Sequence, residues 1–377
     1  MDKSNTKIVF IINSLMLQRC HKRVNDFIDQ GYKVEVYGFD RQFGVEKCKY
    51  DRYDVEIIGE FNNFLSYFSR IGIMKNGIKK VIDAHKKQDC VFYLFQFDVA
   101  SIATLMLGDI PYIYEESDLT HTYISHKVIR KVLEKWDKRI IRKSLMTVET
   151  SYGFVKYHFN GICPKNVSVI PNKLKSQVED FPLISKPDFD INHIRFGYVG
   201  HIRFQALMNF VRILINYYPQ HELYFFGLVG DKKLLPQIKS FEKCPHVHFC
   251  GPFENPKDLA KVYSQIDLLI STYDTSMENV RYAEPNKLYE AIYYETPIIV
   301  SKGTFLEESV KKYDIGYAID ALNDGELKTF INSLTEEDIK EKMHHAALID
   351  KKLMINENRA FFSQLDGMLR RFPKRNA

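Results

Sequence analysis

The chain contains no apolar run near the ~18 residues that a spanning helix needs. Its first apolar stretch, Ile8 to Ile12, is too short for the core of a secretory signal. Six cysteines, at positions 20, 48, 90, 163, 244 and 250, show no CxxC spacing, which argues against a zinc knuckle or a disulfide framework and makes a reducing cytosol the expected setting. Single-sign charge is scarce too: Lys plus Arg exceed Asp plus Glu by only 5, too little alone to point to nucleic acid. RNP, KH and zinc-finger patterns are missing. So are GxGxxG after the first strand, the phosphate loop GxxxxGK[ST] and the nucleophile elbow GxSxG. Simple nicotinamide, P-loop and serine-hydrolase chemistries are thereby disfavoured. No internal repeat of 20–50 residues is evident.

What is present is alternation. The 377 residues suit two domains of ~150–200 residues. Apolar strands are expected at 7–13, 33–39, 54–58, 91–95, 111–116, 145–150 and 166–172, with helices between them near 98–107 and 122–143 and a basic helical stretch at 70–87. A polar stretch, 173–193, carries Pro182 and Pro187 and reads as a linker. The rhythm then resumes with strands at 193–200, 222–227, 246–251, 266–272, 296–301 and 316–319. Asn255 and Pro256 have the residue types of a helix cap and first position. Near-continuous apolar strands alternating with helices mean parallel sheets covered on both faces, an α/β fold in two Rossmann-like units. Two such units create a cleft where a ligand is expected outside the strand ends.

One segment is chemically pointed: Pro285-Asn286-Lys287-Leu288-Tyr289-Glu290, followed by the apolar strand at 296–301. Proline suits a helix start because its missing N–H would be unbonded there. Asn286 can cap, and the amides of Asn286, Lys287 and Leu288 would face outward with the positive end of the helix dipole. That is an anion site, and Lys287 adds a full charge. Glu290, one turn on, can accept two hydroxyl hydrogen bonds, as a ribose diol offers. The competing reading is an ordinary helix start with a solvated Lys–Glu pair.

The same residues resemble the donor-binding signature of retaining GT-B glycosyltransferases, glycosyltransferase family 4 (glycosyl transferases group 1), in its Pro-x-Lys-x-x-Glu variant. FGYVGHIR (196–203), VETSYGF (148–154), VSVIPNK (167–173) and the stretch 19–41 extend the likeness over most of the chain. Two departures stand out. Tyr282 occupies the place of the signature's first Glu, and Asn13-Ser14-Leu15 replaces a glycine-rich first loop. The resemblance implies a GT-B fold: an acceptor-side domain, 1–172, a linker, 173–193, and a donor domain, 194–355, with a helix at 356–377 packing back on the first. It implies transfer of a sugar from a nucleotide-diphosphate donor to a carbohydrate or lipid-linked acceptor with retention, in bacterial surface polysaccharide assembly. Arg203, Glu284, Asn286, Lys287, Leu288 and Glu290 would bind the donor.

Breaking a sugar–phosphate bond places charge on the departing diphosphate, which a metal or fixed cations must stabilise. The one Asp-x-Asp, Asp188-Phe189-Asp190, sits in the linker and reads as a solvated turn, so no metal and no cofactor are expected. Arg203 and Lys287 can serve instead. Glu115, Glu116 and Asp118 follow a strand end, where Glu116 and Asp118 are catalytic candidates or else a solvated turn and cap. His121 and His126 read as surface residues. The stretches 70–87 and 121–143 are basic; the second holds eight Lys/Arg against Glu134 and Asp137, eight minus two giving +6. Either these helices lie on an anionic membrane at its inner face, the protein being cytoplasmic and peripheral, or their apolar stripes pack on a sheet. Rival functions are a GT-B nucleotide-sugar epimerase or phosphorylase and, more distantly, a non-catalytic nucleic-acid-binding protein.

Overall fold

The computed structural model describes residues 6–41, 52–62 and 64–371. Cys48 and the part of the expected last helix beyond Arg371 lie outside them. The first sheet contains β1 (Lys7–Ile12), β2 (Lys33–Asp40), β3 (Val55–Glu60), β4 (Cys90–Phe95), β5 (Tyr112–Glu116), β6 (Met146–Glu149) and β7 (Val167–Val169) in the order β3-β2-β1-β4-β5-β6-β7. Every pairing is parallel. Its helices are α1 (Gln18–Asp29), α2 (Tyr67–His85), α3 (Gln96–Ala103), α4 (Lys127–Lys143) and α5 (Tyr152–Phe159).

The second sheet contains β8 (Arg195–Val199), β9 (Glu222–Phe226), β10 (Val247–Gly251), β11 (Leu268–Ser271), β12 (Ile298–Ser301) and β13 (Gly316–Ile319) in the order β10-β9-β8-β11-β12-β13, again all parallel. Around it run α6 (Gln205–Tyr217), α7 (Leu235–Phe241), α8 (Leu259–Ser264), α9 (Glu278–Tyr282), α10 (Asn286–Tyr293), α11 (Phe305–Tyr313), α12 (Asp324–Ser333) and α13 (Glu336–Leu348). The last helix, α14 (Arg359–Arg371), belongs to the first unit. The chain thus divides into two compact units, residues 1–170 with 357–377, and residues 171–356.

The side-chain period of two explains the strand sequences. Ile8, Phe10 and Ile12 of β1 enter a core with Val24 and Phe27 of α1 and Phe361, Phe362 and Leu365 of α14. Val9 and Ile11, pointing the other way, meet Ile78 and Val81 of α2 and Ile140 and Ile141 of α4. Both faces are dry, so both sets of residues must be apolar. The second sheet repeats this. Phe196 and Tyr198 join one core with α6, while Val199 joins another with Leu288 and Ile292 of α10. The two-unit α/β class expected from alternation is the observed fold.

Two local expectations differ. The helix assigned to Asn255-Pro256 begins at Leu259; Asp258 instead accepts the Glu254 N–H at 2.8 Å, closing a turn before it. Residues 173–193 are drawn into the second unit. Leu174 exchanges backbone hydrogen bonds with Met354 and Asn356, and Val178 is wholly buried. The Asp188-Phe189-Asp190 stretch has exposed acids, with Asp190 accepting the Asn192 N–H at 2.9 Å.

Candidate active site

In the second unit the site is built where β8 ends. Gly200 follows Val199 with φ +122°, and Gly227 follows β9 with φ +134°. These are conformations that side chains resist. A Cβ on Gly227 would stand 2.2 Å from the Gly200 carbonyl oxygen, and one on Gly200 would stand 3.3 Å from Lys287 Nζ. Glycine therefore lets the two strand ends close up while leaving space beside the lysine.

Helix α10 approaches the same point. Pro285 precedes it with φ −76° and ψ 153°, and has no N–H to satisfy. The amides of Asn286 and Lys287 have no acceptor among the described residues. Leu288 does not add a third: its N–H reaches the Pro285 carbonyl at 3.2 Å, and its side chain lies in the core. Asn286 does not cap either. Its side-chain amide turns along the helix and donates to Glu290 Oε1.

Lys287 is 8 % exposed. Its Nζ lies 4.9 Å from the Tyr198 ring centre and 5.9 Å from that of Tyr273. No carboxylate pairs with it among the described residues. Burial works against its charge, but Tyr273, Tyr198 and Glu290 outweigh that and hold it above the ordinary lysine value. It is thus a buried, charged ammonium with no ion-pair partner among the described residues. Arg203, exposed in the turn after β8, rests its guanidinium 5.6 Å from the Phe204 ring centre. Burial, then Arg203 and Lys287, push the His201 imidazole below its usual range, so it stays neutral at pH 7.

Glu290 is 2 % exposed, and burial raises its carboxyl although Tyr263, Lys287 and Asn286 favour the anion. Tyr263 donates to Oε2 at 2.7 Å, and Asn286 to Oε1. Both oxygens expected to meet a diol already accept one protein hydrogen bond; each keeps a further lone pair. Glu284 is buried and accepts from the Tyr289 hydroxyl. Tyr198, Tyr263, Tyr273 and His201 were not among the expected site residues. Tyr198 and His201 lie inside the FGYVGHIR motif, but strand residues say nothing about which helix covers them.

The first unit gathers its polar residues at strand ends as well. Asp118 is half-buried and accepts from Gln96 Nε2 at 3.3 Å. Gln96 has φ +69°, a left-handed conformation in a non-glycine residue, which costs ~1–3 kcal/mol and clusters at functional sites. Nearby in sequence, Asp98 faces Asn13 Nδ2 at 3.5 Å and Arg41 at 3.7 Å. Glu115 is a buried structural anion, with Arg23 Nε at 3.0 Å and the Tyr93 hydroxyl donating to it.

Two expectations here are corrected. Glu116 has no exposed surface: its Oε2 faces His158 Nε2 at 2.8 Å, and its surroundings are Asp137 and Glu149, so it is not placed to meet a substrate. His121 is wholly buried rather than superficial, with Nε2 3.1 Å from the Tyr157 hydroxyl. Burial, then neighbouring acids, raise both Glu116 and Glu149 well above the usual carboxylate range. The physical reason is topological: α4 and α5 close over the end of β5 and β6. Helix α5 was not anticipated at all.

Comparison with known proteins bears on the second unit first. Residues 196–349 match the family described as Glycosyl transferases group 1. The succinoglycan biosynthesis protein ExoL of Rhizobium meliloti is 20% identical over 244 residues, 60% of this chain and 59% of ExoL. The match thus spans less than two thirds of that relative. Among solved structures, sucrose-phosphate synthase from Thermosynechococcus elongatus superposes with a TM-score of 0.68 at 13% identity, covering 97% of this chain and 98% of that one. Anabaena HepE in complex with UDP and glucose gives 0.67 at 16% identity, covering 97% and 99%. The lipopolysaccharide outer core galactosyltransferase WaaB gives 0.59 at 14% identity, covering 97% and 95%. Residues 196–349 thus match the Glycosyl transferases group 1 model, and the chain has the two-unit α/β GT-B fold that its structural neighbours share.

Proposed function

We propose that the protein transfers a sugar, with retention, from a nucleotide-diphosphate donor to a carbohydrate or lipid-linked acceptor in surface polysaccharide synthesis. The observation that carries this is Lys287: a buried ammonium with no ion-pair partner, beside the open amides of Asn286 and Lys287, one turn before Glu290. A diphosphate supplies the missing anion. Its ribose then falls to the free lone pairs of Glu290. During bond breaking, charge grows on the leaving diphosphate, and Lys287, the helix amides and Arg203 stabilise it without reorganising. No metal is needed at this position. The leaving phosphate takes the acceptor proton, as retention without a covalent carboxylate requires. In this reading Glu284 would serve the donor sugar, and Asp118 with Gln96 would serve sugar hydroxyls. Support comes from HepE, whose structures hold UDP, glucose and UDP-glucose, and from ExoL's role in succinoglycan biosynthesis.

Thermal shift against a panel of nucleotide-sugars tests this. A true donor at 100 times its dissociation constant stabilises by about 2.7 kcal/mol. NMR of the product then shows the anomeric configuration. Absence of any nucleotide-sugar binding, or an epimer formed without acceptor, would overturn the proposal.

We also propose peripheral contact with an anionic membrane. No helix of the described residues is long and apolar enough to cross one. The apolar stripe of α4 is divided: Ile140 and Ile141 are buried, while Val128 (65 %), Ile129 (50 %) and Val132 (58 %) are exposed among Lys127, Arg130 and Lys131. Phe64 and Phe68, flanking the start of α2, are 96 % and 84 % exposed. Such basic and apolar surface suits anionic lipid. Flotation with anionic but not neutral vesicles is the expected result; equal partition to both would refute it.

A further inference from the structure

The first unit encloses a second constellation that sugar transfer does not use. Glu116 at the end of β5 and Glu149 at the end of β6 are direct partners in the parallel ladder, so their side chains leave the sheet side by side. Asp137 comes down from α4, His121 from the turn at Thr120–Tyr123, and His158 from α5. All five are buried, and none of the three acids has a lysine or arginine as an ion-pair partner among the described residues. Moreover, Glu116 Oε1, both oxygens of Asp137, both oxygens of Glu149, and Nδ1 of His121 and of His158 make no hydrogen bond of normal geometry among the described residues, although the Tyr114 hydroxyl and Glu116 stand close to Asp137 and the two glutamates close to each other. Buried polar atoms are ordinarily satisfied; here His158 Nε2 meets Glu116 Oε2 and His121 Nε2 meets the Tyr157 hydroxyl, but the remaining open atoms face one another, which points to a missing occupant.

The spacing says what that occupant is. The ligand atoms of Glu116, His121 and Asp137 all lie within 4.8 Å of one another, as do those of Glu116, Glu149 and His158. His121 Nδ1 and Asp137 Oδ2 stand 3.3 Å apart without forming a hydrogen bond. Two atoms each about 2.0–2.2 Å from one tetrahedral ion stand about 3.3–3.6 Å apart. Ionised together, the three carboxylates would carry three negative charges, which a buried site holds only by binding a cation or by taking up protons. Mixed imidazole and carboxylate ligands suit zinc or a similar first-row divalent ion, whereas magnesium and calcium prefer oxygen alone.

We propose that Glu116, Glu149, Asp137, His121 and His158 form a buried binding site for a divalent transition-metal ion, separate from the donor site and structural in role. Glu116 belongs to both ligand sets, so a second ion would share it. The ion would tie α4 and α5 to the ends of β5 and β6.

The test uses the full chain, stripped with a chelator, loaded with zinc and desalted, with metal measured by mass spectrometry. About one retained ion per chain, or two if both sets fill, is expected, with a rise in melting temperature on adding zinc. Cobalt in place of zinc should give visible bands without a thiolate charge-transfer band, since the free cysteines take no part. Glu149→Gln and, in case it does not fold, Asp137→Asn should each lose most of the retained metal. Wild-type protein that retains no zinc and does not gain melting temperature overturns the proposal. So does equal retention by a folded variant, or a thiolate band in the cobalt spectrum. Stabilisation by Glu149→Gln in metal-free buffer, with no zinc bound by wild type, would show that shared protons occupy the cluster.

Discussion

Replacing Lys287 with methionine separates a ligand-binding role from a structural one. In the free protein the ammonium gains two ring contacts, at 4.9 and 5.9 Å, each worth about 1–2 kcal/mol at a site this buried. Against this stands the desolvation of the ammonium, which Tyr273, Tyr198 and Glu290 together offset. Methionine has similar length and no such cost. Lys287→Met should therefore shift the melting temperature of the free protein by no more than a few degrees; each 1 kcal/mol is worth about 2–4 °C at this domain size. Binding moves the other way. One charge-assisted hydrogen bond to phosphate contributes about 1.5–3 kcal/mol, so, on the proposed function and with the UDP that HepE holds as the probe, the dissociation constant for nucleoside diphosphate should rise about 10- to 150-fold. Calorimetric titration with UDP and with inorganic pyrophosphate, alongside thermal melts without ligand, reads both effects. Pyrophosphate should weaken as UDP does, because the lysine acts on phosphate. A free protein that melts several degrees lower while binding UDP within twofold of wild type would refute the reasoning, leaving Lys287 as a packing residue.

Glu290→Gln should weaken UDP about tenfold or more while leaving pyrophosphate unaffected, since the lost acceptor faces ribose and not phosphate; paired titrations check this. Gln96→Gly should release about 1 kcal/mol of strain from the φ +69° backbone, while turnover falls because Asp118 loses its amide donor; denaturant unfolding and steady-state kinetics read the two separately. Lys186 offers a pH signature. Burial, opposed by Asp267, brings its amine down to about 8 from an ordinary 10.5. Below pH 8 it is charged in both states and the burial penalty is fully present. Between 8 and 10.5 the unfolded chain holds a proton that the folded one lacks, so stability rises with pH. Lys186→Met should thus be more stable than wild type at pH 7, by roughly 1–3 kcal/mol, with the difference shrinking towards pH 10.5 in denaturant titrations.

Strands were the most legible part of the fold. A segment such as Ile8-Val9-Phe10-Ile11-Ile12 sends alternate residues into two dry cores, so its pattern is unbroken and hard to mistake. The start of α10 was legible because proline restricts its own backbone. Short α5 and α9 escaped notice because eight and five residues give too few turns for a period. The apolar stripe of α4 was seen, yet whether it was covered could not be read. One end packs on the sheet and the other is open, a matter of where the helix lies and not of its own residues.

What sequence alone determined is whatever depends on near neighbours: where chain direction changes, which segments are strands, and that Lys287 and Glu290 ride one helix a turn apart. Tertiary structure decided which charges have partners. Lys287 became a buried cation only because Tyr198 and Tyr273 arrive from two other strand ends. Glu116 passed from an expected surface loop to the interior because helices from later in the chain cover it. Burial and pairing are set by contacts between residues distant along the chain, and it is these, not residue type, that decide whether a carboxylate or an ammonium greets a substrate, a metal or another side chain.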